Sequence, residues 1–290
     1  MSHFDVPLCP PDAIFNLTTK YKADKFSKKL NLGVGAYRTA ESQPYVLSVV
    51  KKAEVIILKQ SEDKEYLPIE GYEPFLKAAP ALVFGADSPA IEENRVCAVQ
   101  SIGGTGAVRL AAEFICEQLP SGTAIYIPSP TWGNHKKVMK HAGVPCFDYR
   151  YYDNDTNEMN ITGLLEDIRK APRRSVILLH ACAHNPTGLD PTAEQWQMIA
   201  DCIKGKDHLP FFDFAYQGFA SGNMEYDAAA IRLFVNLGIE CFVAQSFSKN
   251  LGFYNERLGC LMAVTRTSEQ AVRVQSQLKS LIRGMYSNPP

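Results

Sequence analysis

Beyond residue 95 the chain alternates between short apolar runs and stretches in which apolar positions recur every three or four residues. The runs Val96–Gln100, Ala124–Ile127, Pro145–Tyr149, Ser175–Ala181, Leu209–Phe212, Cys241–Gln245 and Leu258–Val264 have the length and composition of buried strands. Between them the helical period predicts helices over Thr105–Leu119, Trp132–Ala142, Ile161–Ala171, Thr192–Ile203 and Asp227–Leu237. A last helix spans Ser268–Met285 and is stopped by Asn288-Pro289-Pro290. Upstream, Val49–Lys59 and Gly71–Phe84 read as amphipathic helices. Residues 1–45, with Pro7, Pro10, Pro11 and the Gly33-Val34-Gly35 step, read as irregular and extended. Short apolar strands each followed by a helix imply the α/β class, a mostly parallel sheet with helices on both faces. In such sheets ligands gather at the carboxyl ends of strands and the amino ends of helices.

The residues with chemistry fall at those ends. Lys249 sits in the hydroxyl- and Gly-bearing segment Ser246–Arg257 between two apolar runs, a poor place for a purely solvating lysine. A desolvated lysine beside a second cation such as Arg257 loses affinity for its proton and becomes a nucleophile toward carbonyls. Ser246 and Arg257 could equally hold a phosphate. A lysine for an aldehyde with Ser and Arg for a phosphate is the equipment of a pyridoxal-phosphate site. Gly103-Gly104-Thr105-Gly106 opens a helix after a strand and serves as a plain N-cap or as an anion cradle. Trp132 lies at a strand-to-helix turn, where it packs in the core or stacks on an aromatic ligand. Asn185, in His184-Asn185-Pro186-Thr187-Gly188, is either turn chemistry or an amide aimed at the strand ends. Asp213, flanked by aromatic residues at a strand end, is a helix cap or the partner of a buried cation such as a protonated pyridine nitrogen; Tyr216 is near enough to bond a ring oxygen.

Composition narrows the class further. A length of 290 residues allows one large domain or two modest ones. A net charge of −1 argues against nucleic acid or an anionic membrane as the main partner. No apolar run reaches the roughly 18–20 residues of a spanning helix, and the start lacks the pattern of a targeting sequence, so cytoplasmic residence is expected. The eight cysteines form no Cys-x-x-Cys pair and read as reduced thiols, mostly buried. His180 and His184 stand four apart, but at a strand end and turn rather than on one helix face, and no metal site is read from them.

The segments Leu32–Arg38, Glu65–Ile69, Gly103–Ala107, Pro130–His135, His184–Gly188, Phe212–Gly222, Ser246–Gly259 and Ser287–Pro290 together carry a resemblance. In this set and order the chain resembles the aspartate aminotransferases of cytosolic type, pyridoxal-phosphate enzymes of fold type I. The resemblance implies exchange of an amino group between aspartate and 2-oxoglutarate through a Schiff base on Lys249, which also shuttles the proton. It implies Asp213 on the pyridinium nitrogen with His135 behind it, Trp132 stacked on the ring, and Asn185 and Tyr216 on the phenolic oxygen. Gly103, Gly104, Thr105, Ser246 and Arg257 would hold the phosphate, joined by Tyr66 from the other subunit of a homodimer. Gly35, Trp132 and Asn185 would meet the substrate's α-carboxylate, and Arg283 of the neighbour, near Ser287, its distal carboxylate. Many relatives carry Ser where this chain has Gly103. The implied organisation is an N-terminal arm with part of a small domain in residues 1–45, a large cofactor-binding domain in 46–290, and the rest of the small domain, with the arginine for the α-carboxylate, beyond Pro290. Two alternatives follow: a shortened product that binds the cofactor or pairs with a full-length subunit without turnover, and a related enzyme acting on aromatic amino acids.

Overall fold

The structure, a computed structural model, describes residues 2–33, 35–61 and 63–290, so Val34 of the Gly33-Val34-Gly35 step lies outside the described residues. The chain divides into two compact units, Met1–Ser61 and Glu62–Pro290.

In the first unit a helix covers Ala13–Ala23, where an extended segment was expected. The Asp12 carboxylate accepts the Ile14 N–H at 3.0 Å and caps the start, and Lys20 and Lys22 complement the carbonyl end. The prolines that suggested an extended chain all precede this cap, where they do not interrupt a helix. The helix Ser48–Gln60 matches the amphipathic reading and ends on Ser61 in the left-handed conformation. Val55, Ile56, Ile57 and Leu58 on this helix are more than half exposed.

The second unit is built on one sheet. Its strands are β1 Val96–Ile102, β2 Ile125–Ser129, β3 Cys146–Arg150, β6 Val176–His180, β7 Leu209–Phe214, β8 Cys241–Ser246 and β9 Leu258–Val264, with a small hairpin of β4 Tyr152–Asp153 and β5 Glu158–Met159. The order is β1-β9-β8-β7-β6-β2-β3. Within this seven-stranded sheet β9 runs antiparallel to its neighbours β1 and β8, and β8, β7, β6, β2 and β3 are parallel. Successive strand residues point to opposite faces, and each strand feeds two cores. Val176, Leu178, Phe211, Phe242 and Leu261 enter one layer under the helices Gly103–Gln118, Asn134–Ala142 and Ser268–Met285. Ile177, Leu179, Phe212, Val243 and Met262 enter the other, under Glu73–Phe84, Ile161–Lys170, Ala193–Lys206 and Ala229–Asn236. Burial on both faces explains why these strands read as unbroken apolar runs rather than alternating ones.

The element boundaries depart from expectation in a few places. The helix expected over Asp227–Leu237 spans Ala229–Asn236 and is preceded by a single turn, Met224–Asp227, whose start Asn223 caps through the N–H groups of Glu225 and Tyr226. The turn Pro89–Glu92 and the β4–β5 hairpin are too short to show a period. Thr267 and Gln270 form a reciprocal capping box that starts the last helix at Ser268. All cysteines are free, but Cys9 and Cys116 are exposed rather than buried.

Candidate active site

The carboxyl ends of β6, β7 and β8 and the amino end of the helix Gly103–Gln118 converge on a cleft of about 120 Å³. Its walls include Gly104, Thr105, Trp132, Asn185, Asp213, Tyr216, Ser246, Lys249 and Arg257. Tyr66 is 82 % exposed and lines a different surface cleft with Glu256 and Tyr286. Arg283 is exposed, is hydrogen-bonded to Ser287, and does not line the central cleft. Gly35 belongs to the first unit, Met1–Ser61.

One end of the cleft is made for an anion. The helix beginning at Gly103 turns its free N–H groups toward it, where the helix dipole favours negative charge. Arg257 comes back over this end from the loop after β8. Its carbonyl accepts the Gly103 N–H at 2.7 Å, and its guanidinium is braced by Ser248 Oγ at 3.3 Å and the Tyr254 carbonyl at 3.1 Å. Glycine is required by the approach at Gly104, where a Cβ would lie 2.7 Å from Ser246 Cβ; a Cβ on Gly103 would lie 2.5 Å from Arg257 Nη2, the end of a long side chain that can shift. Since the Ser246 Cβ is tied to strand β8, Gly104→Ala is expected to destabilise the fold by about 1–3 kcal/mol and to weaken binding of inorganic phosphate. Urea unfolding and phosphate titration would check it, with unchanged values in both showing that the cradle is looser than described.

The opposite end is a polar chain. His135 Nε2 bonds Asp213 Oδ2 at 3.0 Å, His135 Nδ1 bonds Thr131 Oγ1 at 2.8 Å, and Thr131 Oγ1 lies 3.3 Å from His180 Nε2. His135 is fully buried, and the Asp213 side chain is 14 % exposed. Burial opposes ionisation of Asp213, yet the His135 hydrogen bond and the charges of His135, His180 and Lys249 outweigh it and hold the carboxyl below its usual range. The ligand atoms of His135, His180 and Asp213 lie within 4.8 Å of one another, a spacing that would admit a metal ion. Each is already engaged in the hydrogen bonds just described, which accounts for the cluster without one. The turn after β6 also folds His184 back, its ring centroid 4.2 Å from that of His180 and 3.8 Å from that of Tyr151. The spacing of the two histidines thus brings them together through a turn, which helix-face geometry does not describe. Asp190 accepts the Ala183 and His184 N–H groups at 2.6 and 2.9 Å and fixes this turn, and Asn185 N–H donates to His180 Nδ1 at 3.2 Å. The Ser129–Pro130 and Asn185–Pro186 peptides beside the cleft are cis.

Between the two ends stands Lys249. Burial lowers its pKa; Asp213 raises it and Arg257 lowers it further, with a net shift downward. Its Nζ lies 5.8 Å from the centre of the Tyr216 ring and 6.0 Å from that of Tyr254. Burial, Asp213 and Tyr254 raise the Tyr216 hydroxyl above its usual value, so it stays protonated and able to donate. The arrangement offers an amine of lowered proton affinity between an anion cradle and a buried carboxylate.

Thr131, His180, Cys182 and Asp190 were not singled out by sequence as parts of this site. The available signal was polar residues at successive strand ends, since Thr131, His180 and Asp213 follow or end β2, β6 and β7. His180 also sets an acid limit on the fold. Burial pushes its pKa to about 4, and His184 falls to about 2 from burial and the neighbouring histidines. An unfolded histidine binds its proton near pH 6.5, so the unfolded chain holds more protons below that value. Stability is therefore full above about pH 6.5 and falls as pH drops toward 4, at up to roughly 1.4 kcal/mol per pH unit for each group. Urea midpoints at pH 7.5 and 5 should differ, and His180→Asn should flatten the difference; an equal slope in that variant would place the acid sensitivity elsewhere.

Residues 27–290 match the family described as aminotransferase class I and II. The chain is 55 % identical over 285 residues to the chloroplastic aspartate aminotransferase of Arabidopsis thaliana, covering 98 % of this chain and 63 % of that protein. It is 53 % identical over 282 residues to the cytoplasmic aspartate aminotransferase of Oryza sativa subsp. japonica, covering 97 % of this chain and 69 % of the relative. Among solved structures, the aromatic-amino-acid aminotransferase of Burkholderia pseudomallei, covalently bound to pyridoxal phosphate, superposes with a TM-score of 0.96 at 40 % identity, covering 100 % of this chain and 72 % of that one. The aspartate aminotransferase from Saccharomyces cerevisiae cytoplasm does so with a TM-score of 0.95 at 42 % identity, covering 99 % and 71 %. The chain thus spans less than two thirds of the length of the Arabidopsis relative.

Proposed function

Because the chain belongs to the class I and II aminotransferases, we propose that it binds pyridoxal phosphate on Lys249 and moves the amino group of L-aspartate to 2-oxoglutarate, giving oxaloacetate and L-glutamate. The observation that carries this reading is one cleft in which a half-buried lysine, its pKa lowered by burial, stands between an anion cradle and a buried, ionised carboxylate. The donor set fits the cofactor: a phosphate suits Gly104, Thr105, Ser246 and Arg257, a flat ring suits the Trp132 wall, and a protonated ring nitrogen suits Asp213. Pyridoxal phosphate, when bound, supplies the aldehyde and the electron-withdrawing ring that amino-group transfer needs.

The chain's own groups then have distinct tasks. Lys249, low in pKa, holds the cofactor and afterwards takes and returns a proton at its Nζ. Asp213 keeps the proton on the ring nitrogen, and His135, itself fixed by Thr131, keeps Asp213 in place. Asn185 and the Tyr216 hydroxyl, both lining the cleft, would donate to the cofactor's phenolic oxygen. Gly103, whose N–H is taken by the Arg257 carbonyl, belongs to the phosphate cradle by shaping it: it lets the Arg257 guanidinium approach the helix start.

A dicarboxylic substrate brings two negative charges, and Arg257 is the one guanidinium lining the cleft among the described residues. With Arg257 given to the phosphate, the substrate carboxylates need cations from outside this set. Supply of Arg283 to the substrate, and of Tyr66 to the phosphate, by a second copy fits their exposure and their absence from the walls of their own chain's cleft, so a homodimer sharing its active sites belongs to the proposal. Ser287 beside Arg283, and Trp132 with Asn185, complete the proposed substrate contacts. Chains with the eight free cysteines of this protein suit a reducing compartment, and cytoplasmic residence is proposed; no described helix is long and apolar enough to cross a membrane. The same observation on Arg257 favours a second reading, in which these residues bind cofactor and pair with another subunit but do not turn over. Oxaloacetate formation from aspartate by the cofactor-loaded chain separates the two: steady formation supports transfer, and colour without product supports the second.

A further inference from the structure

The turn after β7 that carries Tyr216 is held by two buried side chains outside the cleft. The Asp227 carboxylate, 3 % exposed, accepts the Gly218 N–H at 2.7 Å and the Ser221 N–H at 3.1 Å. The Tyr216 carbonyl accepts from the N–H groups of Phe219 and Ala220 at 2.9 and 3.3 Å, so both sides of the turn are fastened. Gln217, 1 % exposed, donates from Nε2 to the Leu82 carbonyl at 3.0 Å and the Met224 carbonyl at 3.2 Å. Its Oε1 accepts from Gln245 Nε2 at 2.7 Å. Gln245 is fully buried on β8, immediately before Ser246 and in the strand that leads to Lys249. One glutamine therefore ties the Tyr216 turn to the strand that presents the phosphate serine and the lysine.

Keeping a glutamine pair here has a cost. Gln245 Oε1 is buried without a hydrogen-bond partner, which disfavours the folded state, whereas two apolar side chains of similar volume would pack without it. What the pair provides and apolar residues would not is direction: a saturated Gln217 admits one placement of the turn relative to β8. We propose that Gln217, with Gln245 and Asp227, is a positioning residue that sets the Tyr216 hydroxyl against the Lys249 amine. The link from Tyr216 to the cofactor rests on the function proposed above; the link from Gln217 to Tyr216 stands on the hydrogen bonds alone.

Two readouts keep these links apart. In the cofactor-free chain, the side-chain 13C signal of Tyr216 should move in Gln217→Met and in Asp227→Asn, while that of Tyr149, in the core and bonded to the Leu178 carbonyl, stays in place. An unmoved Tyr216 signal in a folded variant overturns the inference whether or not the cofactor binds, as does movement of both signals together. In the chain loaded with pyridoxal phosphate and no substrate, the pH midpoint of the visible cofactor band should shift in both variants in the direction that Tyr216→Phe shifts it. The double variant Tyr216→Phe with Gln217→Met should shift no further than Tyr216→Phe alone, because groups acting through one another are not additive. Additive shifts would overturn positioning through Tyr216. Failure of the chain to take up the cofactor would instead count against the functional reading, and the 13C result would still decide the role of Gln217. Asp227→Asn carries both readouts should Gln217→Met not fold.

Discussion

Replacing Lys249 with alanine is expected to lower amino-group transfer by more than roughly 10⁴-fold, the upper range of a positioned acid–base group, while leaving the fold intact. Lys249 is half-buried in the loop after β8, and the contacts that shape that loop come from other atoms. Its backbone carbonyl accepts the Gly252 N–H at 3.1 Å, and the Phe253 N–H reaches the Phe247 carbonyl at 3.3 Å. An alanine preserves both. What disappears is the amine, whose proton affinity is lowered by burial and by Arg257 even with Asp213 nearby. Lys249→Arg should be nearly as inactive, because a guanidinium keeps its charge at any working pH and cannot take up a proton. Both variants should still bind inorganic phosphate, since that end of the cleft is built from Gly104, Thr105, Ser246 and Arg257. Substantial residual transfer in Lys249→Ala would assign the proton to another group. Loss of phosphate binding would mean that the lysine also shapes the cradle.

The second large effect is expected at Asp213. Asp213→Asn conserves volume and a hydrogen-bonding group for His135, but removes the negative charge that balances a protonated ring nitrogen. Loss of one buried electrostatic stabiliser commonly costs 10²–10³-fold in turnover, about 2.7–4 kcal/mol. Cofactor affinity should fall much less, because the phosphate end is untouched. Asp213→Ala goes further: it leaves His135 Nε2 buried and unpaired, an added stability loss of about 1–3 kcal/mol. Stopped-flow spectra with aspartate, read beside urea unfolding, separate the two contributions. An Asp213→Asn chain with near-normal rates would reduce Asp213 to a structural anchor for His135.

The strands of the second unit were legible because both faces of the sheet are covered. A strand such as Val176–His180, buried along its length, leaves an apolar run that no loop or surface helix imitates. Most of its helices were legible for the complementary reason, a period that matches one buried face. The helix Ala13–Ala23 was not, since nearby prolines and a mixed Asn, Thr and Lys composition obscure its period. At the cleft, residues whose type is chemically unusual for their place could be named: a lysine between buried strands, a carboxylate among aromatic residues, glycines opening a helix. His135 behind Asp213 was named through the resemblance alone, and the Gln217–Gln245 bridge was not named at all. Their partners lie far apart in sequence, 28 residues for the glutamines and 78 for His135 and Asp213, and only the strand order brings them together. Arg283 and Tyr66 were named through resemblance alone, and their exposure in one chain shows why no local pattern marks them.

The most direct test is to incubate the purified chain with pyridoxal phosphate, reduce with borohydride and map the modified peptide. A visible band that reduction bleaches, with the pyridoxyl group recovered on Lys249 and its yield suppressed in Lys249→Ala, is the predicted result. Recovery of the label mainly on another lysine, or on none, would contradict the assignment of the cleft.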